Sequence, residues 1–272
     1  MKKRSLHIGI NNYPGTNSDL NGCVNDAMTW KEELHKRGFE WQDLLLDYQA
    51  TRKGMMDAIA DIVVASKAGD LTVITYSGHG TYVRDENSDE PDKRDEALCP
   101  WDMDKTGEVI TDDYLYDVFK AADKDARIIF ISDSCHSGSV TKDVKPMEGP
   151  FDGAPWKYQK ARFLPPSVKL TDAGFTSAAK TGNPPQSRVK KEDLVLLLAG
   201  CKDTEYSYDA WFNGKPNGAL TYTALWTLQK LKEGATYEEW FAAIRKFLPH
   251  AEYPQTPQMC GTDVMKKWKV FE

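Results

Sequence analysis

Cysteine is scarce. The 272 residues carry five, Cys23, Cys99, Cys135, Cys201 and Cys260, and so sparse a set in so long a chain does not make a disulfide framework. No two of them stand at C-x-x-C spacing, which argues against a structural zinc site. An odd handful of thiols suits a reducing compartment, taken here as the cytoplasm, and leaves room for one reactive thiol. Positive charge is not in excess either. The net charge of -6 disfavours nucleic acid as a partner, because phosphate binding needs a clustered positive field. No apolar run approaches the roughly 18 residues of a membrane-spanning helix. The start, MKKRSLHIGI, lacks a long apolar stretch and a small-residue cleavage site, so a first strand is expected there and not a leader. No G-x-G-x-x-G or Walker-type loop follows an apolar run, which speaks against a nucleotide enzyme and an organic cofactor. No internal repeat is found.

What is present is a core-forming composition, 40% apolar with 8 Trp, 12 Tyr and 10 Phe, in short apolar runs that alternate with helical patterns. That alternation predicts one α/β domain with a mostly parallel sheet and helices on both faces. Strands are expected at 5–10, 44–48, 71–76, 127–132 and 193–199. Helical spacing covers 21–37 up to Gly38 and 52–68 behind Thr51, and a third helix is expected after Thr111. Thr236 and Glu239 have capping-box spacing ahead of Trp240 and Phe241. Two stretches break the alternation. Residues 83–96 form a long acidic loop. Residues 141–192 are rich in Pro, Lys and Arg, and so long a structureless stretch within a domain is uncommon. The chain therefore reads as a single domain, with 1–140 and 193–272 on either side of a basic linker at 141–192.

In open α/β sheets, sites form beyond the carboxyl ends of the strands. Two strands here run into loaded turns, LTVITY into Ser77-Gly78-His79-Gly80 and RIIFIS into Asp133-Ser134-Cys135. If the two strands are neighbours, His79 faces Cys135. A thiol is a weak nucleophile until a base raises its thiolate fraction, and His79 can supply that base and return the proton to a leaving amine. Gly80 and Gly78 allow the close backbone approach that an oxyanion hole of N–H donors requires. His136 adjoins Cys135, so in extended backbone its side chain points away. It is read as packing, and His7, His35 and His250 as structural.

The segments YSGHG, DSCHSGS 56 residues further on, GINNYPGTNSDLNGCVNDA, DEALCPWD, LLLAGCKDTEYSYD and QTPQM together resemble the caspase superfamily, and most closely its metacaspase branch. The His-to-Cys separation agrees with the upstream histidine of caspase-type enzymes. The likeness covers almost the whole chain except 141–192. It implies a caspase-like three-layer α/β/α sandwich with a mostly parallel six-stranded sheet, and a cysteine endopeptidase with a Cys135/His79 dyad. The arginines that caspases use to bind a substrate aspartate are missing here: the first loop offers Cys23-Val24-Asn25-Asp26, and His136 follows Cys135.

Asp133, two residues before Cys135, and Asp26, in the first helix, fall instead at one edge of the sheet, with Ser77 two before His79 in the same relation. The resemblance implies that Asp26, Asp133 and Ser77, with Cys23 beside them, line a pocket for Arg or Lys, and paired carboxylates suit a guanidinium. Protein or peptide substrates with Arg or Lys at the cut are thus expected. Tyr208 and Trp211 are candidates for a second pocket.

The acidic loop is not an EF-hand, because Glu90 stands where that loop needs glycine. The resemblance does imply Ca²⁺ as an activating ion, held by Asp95, Asp112 and Asp113, with Asp143 an approximate fourth. The plainer alternative for these acids is a solvated loop and a helix N-terminus. The linker carries ten basic residues between Lys142 and Lys191. In a protease that prefers basic residues it is a natural site of self-cleavage, or else a loop folded over the active edge. A monomer is expected from the metacaspase likeness. The competing expectation is a caspase-like scaffold, or a zymogen that needs a partner.

Overall fold

The computed structural model describes residues 1–84, 94–135, 159–166 and 193–272. The first half runs β1 (Lys3–Gly9), α1 (Cys23–Lys36), β2 (Trp41–Leu46), α2 (Arg52–Ala65), β3 (Leu71–Ser77) and β4 (Gly80–Arg84). It continues with β5 (Arg94–Leu98), α3 (Met103–Thr106), β6 (Ile110–Thr111), α4 (Asp112–Phe119) and β7 (Arg127–Asp133). Then come β8 (Lys160–Ala161), β9 (Leu196–Ala199), β10 (Tyr208–Phe212), β11 (Lys215–Gly218) and α5 (Ala219–Leu228). The chain closes with α6 (Tyr237–Ile244), β12 (Gln258–Cys260) and α7 (Asp263–Lys266).

Six strands make the central sheet, in the order β12-β9-β7-β3-β1-β2. Five of them are parallel and only β12, at one edge, is antiparallel. The strands in the middle are buried along most of their length because both faces are covered. Alternate residues feed two separate cores. Leu6, Ile8, Ile74, Ile128 and Phe130 pack with Met55 and Ile59 of α2 and Leu115 and Phe119 of α4. Leu71, Val73, Ile129 and Ile131 pack with Trp30 and Leu34 of α1, Leu220 and Leu225 of α5, and Trp240 of α6. The result is the three-layer α/β/α sandwich expected from the sequence.

The helix ends follow their local signals. Thr51 accepts from the Gly54 amide at 3.1 Å, Thr111 accepts from the Tyr114 amide at 3.4 Å, and Thr236 and Glu239 close a reciprocal capping box. After α1 the backbone turns through Gly38 at φ +84°, a conformation that favours glycine.

Two small three-stranded sheets, β4-β5-β6 and β11-β10-β8, flank the central one. β3 and β7 are neighbours with Ser77 opposite Asp133, so both loaded turns open at the same place. The segment 141–192 is not structureless throughout. Its residues Lys160 and Ala161 form β8, paired with Tyr208 and Asp209 of β10, because the acidic edge described next captures the residue that follows. Glu90, His136 and Asp143 lie outside the described residues.

Candidate active site

His79 is held from three sides. Its backbone N–H donates to the Tyr13 hydroxyl at 2.7 Å, and the Tyr13 ring lies 4.6 Å from the imidazole. Nε2 lies 2.6 Å from the Ser18 carbonyl. A carbonyl only accepts, so Nε2 carries the proton and Nδ1 keeps the lone pair. Nδ1 is buried with no hydrogen-bond partner among the described residues, which is the condition of a base waiting for a proton. Burial is the main cause that lowers the imidazole pKa to about 4, while the Ser18 carbonyl pulls the other way. The ring is therefore neutral near pH 7.

Cys135 ends the turn after β7 and is fully buried. Its thiol points to the Ser207 carbonyl at 4.0 Å. Cys201 lies beside it. The hydrogen bond to Cys135 comes first, and burial second, in pushing the Cys201 thiol well above the usual range. Cys201 is thus kept protonated and does not compete as a nucleophile.

The backbone of residues 160–164 crosses this site, β8 being followed by an isolated bridge between Phe163 and Gly80. The Arg162 carbonyl accepts from the Gly80 N–H at 2.9 Å and from the Cys135 N–H at 3.3 Å. Its own N–H donates to the Ser207 carbonyl at 2.8 Å, and the Leu164 N–H donates to the Gly80 carbonyl at 2.9 Å. The two N–H donors converge on one carbonyl oxygen beside the thiol, the arrangement that stabilises a developing oxyanion.

The Arg162 side chain is completely buried and sits in a cage of three carboxylates. One guanidinium nitrogen lies 2.7 Å from Asp26 and 2.9 Å from Asp209, and the other lies 3.3 Å from Asp133 and 3.0 Å from the Asp133 carbonyl. Each carboxylate is also fixed from behind. Asp26 accepts from the Gly218 N–H at 3.1 Å, Asp133 from Ser207 Oγ at 2.6 Å and the Thr221 N–H at 2.8 Å. Asp209 accepts from the N–H groups of Asn21 and Gly22 at 2.8 and 3.0 Å. Gly218 forms a wall of the cage, where a Cβ would lie 2.2 Å from Asp133 and 2.3 Å from the guanidinium. Burial first, then the neighbouring Asp133 and Asp209, push Asp26 up to about 7 against the pull of Arg162.

Most of the expected residues come together here. His79, Gly80 and Cys135 meet at the Arg162 carbonyl, and Asp26 and Asp133 meet at its guanidinium. Ser77 is buried in register with Asp133 but makes no hydrogen bond to Arg162. Cys23, buried at the start of α1, is a protonated thiol whose pKa burial pushes well up; Arg162 is near enough to oppose that shift. Tyr208 pairs with Ala161, just before Arg162, whereas Trp211 pairs with Pro216. Sequence reasoning missed Asp209 and Ser207, although both lie in the TEYSYD stretch that carried part of the resemblance. It also gave no role to Tyr13 and Ser18, within the matched first loop, and did not single out Arg162.

The expected calcium ligands are Asp95, buried on β5, and Asp112 and Asp113, which open α4. Among the described residues no group of three or more His, Cys, Asp or Glu side chains is placed to hold a metal ion. Asp95, Asp112 and Asp113 do not by themselves make a site for the ion. No helix among the described residues is long and apolar enough to cross a membrane.

Residues 2–268 match the family described as "Caspase domain". The chain is 30% identical over 288 residues to Metacaspase-1 of Mycosarcoma maydis, covering 96% of this chain and 70% of that one. It is 39% identical over 158 residues to Metacaspase-4 of Arabidopsis thaliana, covering 55% and 37%. The crystal structure of a Geobacter sulfurreducens protein is similar with a TM-score of 0.70 at 26% identity, over 100% of this chain and 98% of that one.

Proposed function

The chain belongs to the caspase-domain family and is a cysteine-type endopeptidase, and from that premise we propose that it cuts after arginine, its first substrate being its own Arg162–Phe163 bond. One observation carries the proposal. Arg162 lies with its guanidinium among Asp26, Asp133 and Asp209 while its carbonyl accepts from Gly80 and Cys135. A loop that merely covered the site would have no reason to satisfy both ends of the residue at once.

The reaction follows from these positions. The Cys135 thiol gives its proton to His79 Nδ1 and the sulfur attacks the arginine carbonyl carbon. The Gly80 and Cys135 N–H groups hold the oxyanion that forms. As the C–N bond breaks, His79 returns the proton to the Phe163 nitrogen, which leaves as a free amine. Water then gives a proton to His79 Nδ1 as its oxygen bonds the acyl carbon. As the C–S bond breaks, His79 returns that proton to the Cys135 sulfur and the arginine carboxylate is released. The Ser18 carbonyl steadies Nε2–H through each transfer.

Arginine is favoured over lysine in this proposal because both terminal nitrogens of the fork are used. An ammonium forgoes at least one charge-assisted bond, each worth about 1.5–3 kcal/mol, so arginine peptides are expected to lead by about tenfold or more. Cleavage after Asp would set like charge against three carboxylates.

The test is fluorophore release from peptides ending in Arg, Lys or Asp, alongside mass spectrometry of the purified chain for a new terminus at Phe163. Turnover after Arg and a Phe163 terminus support the proposal; an uncut chain with no turnover returns the protein to a scaffold or a partner-dependent zymogen. Calcium enters only through the family likeness, and the same assay with and without chelator tests it: equal turnover in both removes the ion from the proposal. A monomer is part of the same proposal.

The pocket also predicts a pH dependence. With a pKa of about 7, Asp26 is largely protonated below that pH and ionised above it. His79, at about 4, stays neutral throughout that range. Capture of arginine therefore strengthens as pH rises through about 7. The expected acid limb of kcat/KM lies near or above 7, and it is lost in Asp26→Asn. A limb near 4 in both proteins would assign it to His79 instead.

A further inference from the structure

The backbone does not leave the site at the scissile bond. Gly80 grips it on both sides, its N–H donating to the Arg162 carbonyl and its carbonyl accepting from the Leu164 N–H, each at 2.9 Å. Between those bonds Phe163 runs parallel to Gly80. The Phe163 ring stacks on Tyr82 with centroids 6.2 Å apart and planes 17° apart. It also meets Tyr206 at 5.9 Å and 48°. Tyr82 is held in turn by the Arg94 guanidinium, 4.3 Å from its ring centre. The next side chain, Leu164, is fully buried and joins the apolar cluster that includes Tyr13, Leu98 and Cys99.

We infer that the enzyme selects the two residues after the cut as well as the arginine before it: an aromatic side chain received by Tyr82 and Tyr206, then an aliphatic one in the apolar site now filled by Leu164. The inference rests on the arginine-directed reading and narrows the substrate class to Arg-aromatic-aliphatic sequences. Three features make this more than packing of a bystander loop. The strand is in peptide register with Gly80, whose N–H also serves the carbonyl under attack. Tyr82 lies on β4 and Tyr206 in the connection before β10, and both rings meet Phe163. Both ring arrangements fall in the range in which aromatic pairs attract beyond the area they bury. A charged side chain in place of Leu164 would lose its water without a partner and is disfavoured.

The experiment uses the full-length chain and internally quenched peptides with a constant Lys-Ala-Arg, followed by Phe-Leu, Gly-Leu or Phe-Asp. Lys-Ala-Arg-aminomethylcoumarin, which has nothing beyond the cut except the dye, is run beside them. Ratios of kcat/KM within one preparation cancel the fraction of active enzyme. The Phe-Leu peptide is expected to exceed Gly-Leu by about tenfold and to exceed Phe-Asp as well. The first ratio is expected to fall towards one in Tyr82→Ala and in Tyr206→Ala. These residues sit on different segments, β4 and the connection before β10, so one variant still reports if the other does not fold. Turnover of the coumarin peptide with a wild-type ratio near one would overturn this inference and leave the arginine reading standing. A ratio that survives both tyrosine variants would take the preference away from this pair and overturn it too. Turnover of none of the peptides would sink the arginine reading and this inference with it.

Discussion

Cys135→Ala is expected to leave the Arg162–Phe163 bond whole through expression and purification, and to lower hydrolysis of arginine peptides by about 10⁴-fold or more. The change removes only the sulfur. Cys135 contributes its backbone N–H to the oxyanion site, and that group, with the Gly80 N–H, remains. The carboxylate cage is likewise untouched, so the variant keeps every group that binds the arginine and loses the one that attacks it. Arg162 is then expected to stay seated, giving a single band on a denaturing gel where the native chain gives two. Burial of a small side chain is lost as well, at a cost of about 1 kcal/mol, which leaves the fold in place. His79→Ala gives a useful comparison. It removes the proton acceptor and leaves the thiol, so it too is expected to stay uncut. A Cys135→Ala chain that still acquires a terminus at Phe163 would assign the cut to a contaminating protease and remove self-processing from the proposal.

The parts of the molecule that could be read from sequence are those whose signal is local. β3 and β7 announce themselves because strands buried on both faces are continuous apolar runs, and Thr51, Thr111 and Thr236 mark their helices because a cap is set by three or four neighbouring residues. Helix α5 was missed for the opposite reason. Ala219, Leu220, Thr221, Thr223, Ala224, Leu225, Thr227 and Leu228 are all buried, so it lies within the second core and has no polar face to give a 3.6-residue period.

The short strands β6 and β8 have two residues each, too few for any alternation to register. The proposed dyad could be read because each member sits in a short turn at a strand end. The cage was only half legible. Asp26 and Asp133 could be placed at one edge by counting from α1 and β7, but Asp209 reaches that edge from β10, part of a small sheet that no pattern predicted. Arg162 is one of ten basic residues in its segment. Nothing in its neighbours distinguishes it, because what selects it is the reach of the chain to a cage assembled from distant elements.

The cage gives the second large effect, and it separates the three acids. Asp209→Asn is expected to lower kcat/KM for arginine peptides by about 10²–10³-fold, the usual consequence of breaking a buried ion pair from one side at about 3–5 kcal/mol. Two causes add. The guanidinium loses a charged partner at 2.9 Å. In addition, an Asn amide facing the N–H groups of Asn21 and Gly22 sets donor against donor.

Asp26→Asn is expected to cost less. Its two oxygens share the single Gly218 N–H, at 3.1 Å each, so an Asn oxygen can turn towards that donor and Arg162 together. Near neutral pH, moreover, Asp26 already spends much of its time protonated, so removing its charge removes less. Asp133→Asn stands with Asp209, because its oxygens also serve Ser207 and the Thr221 N–H.

The measurement is kcat/KM for one arginine peptide across the three variants near pH 7, with melting temperatures alongside. The expected order of loss is Asp209 and Asp133 ahead of Asp26. Equal losses for all three, tracking the melting temperature, would mean that the acids hold the fold and not the arginine. If Asp26→Asn proved the most damaging, Asp26 would have to be fully ionised in the pocket, and the acid limb expected near 7 would move down with it.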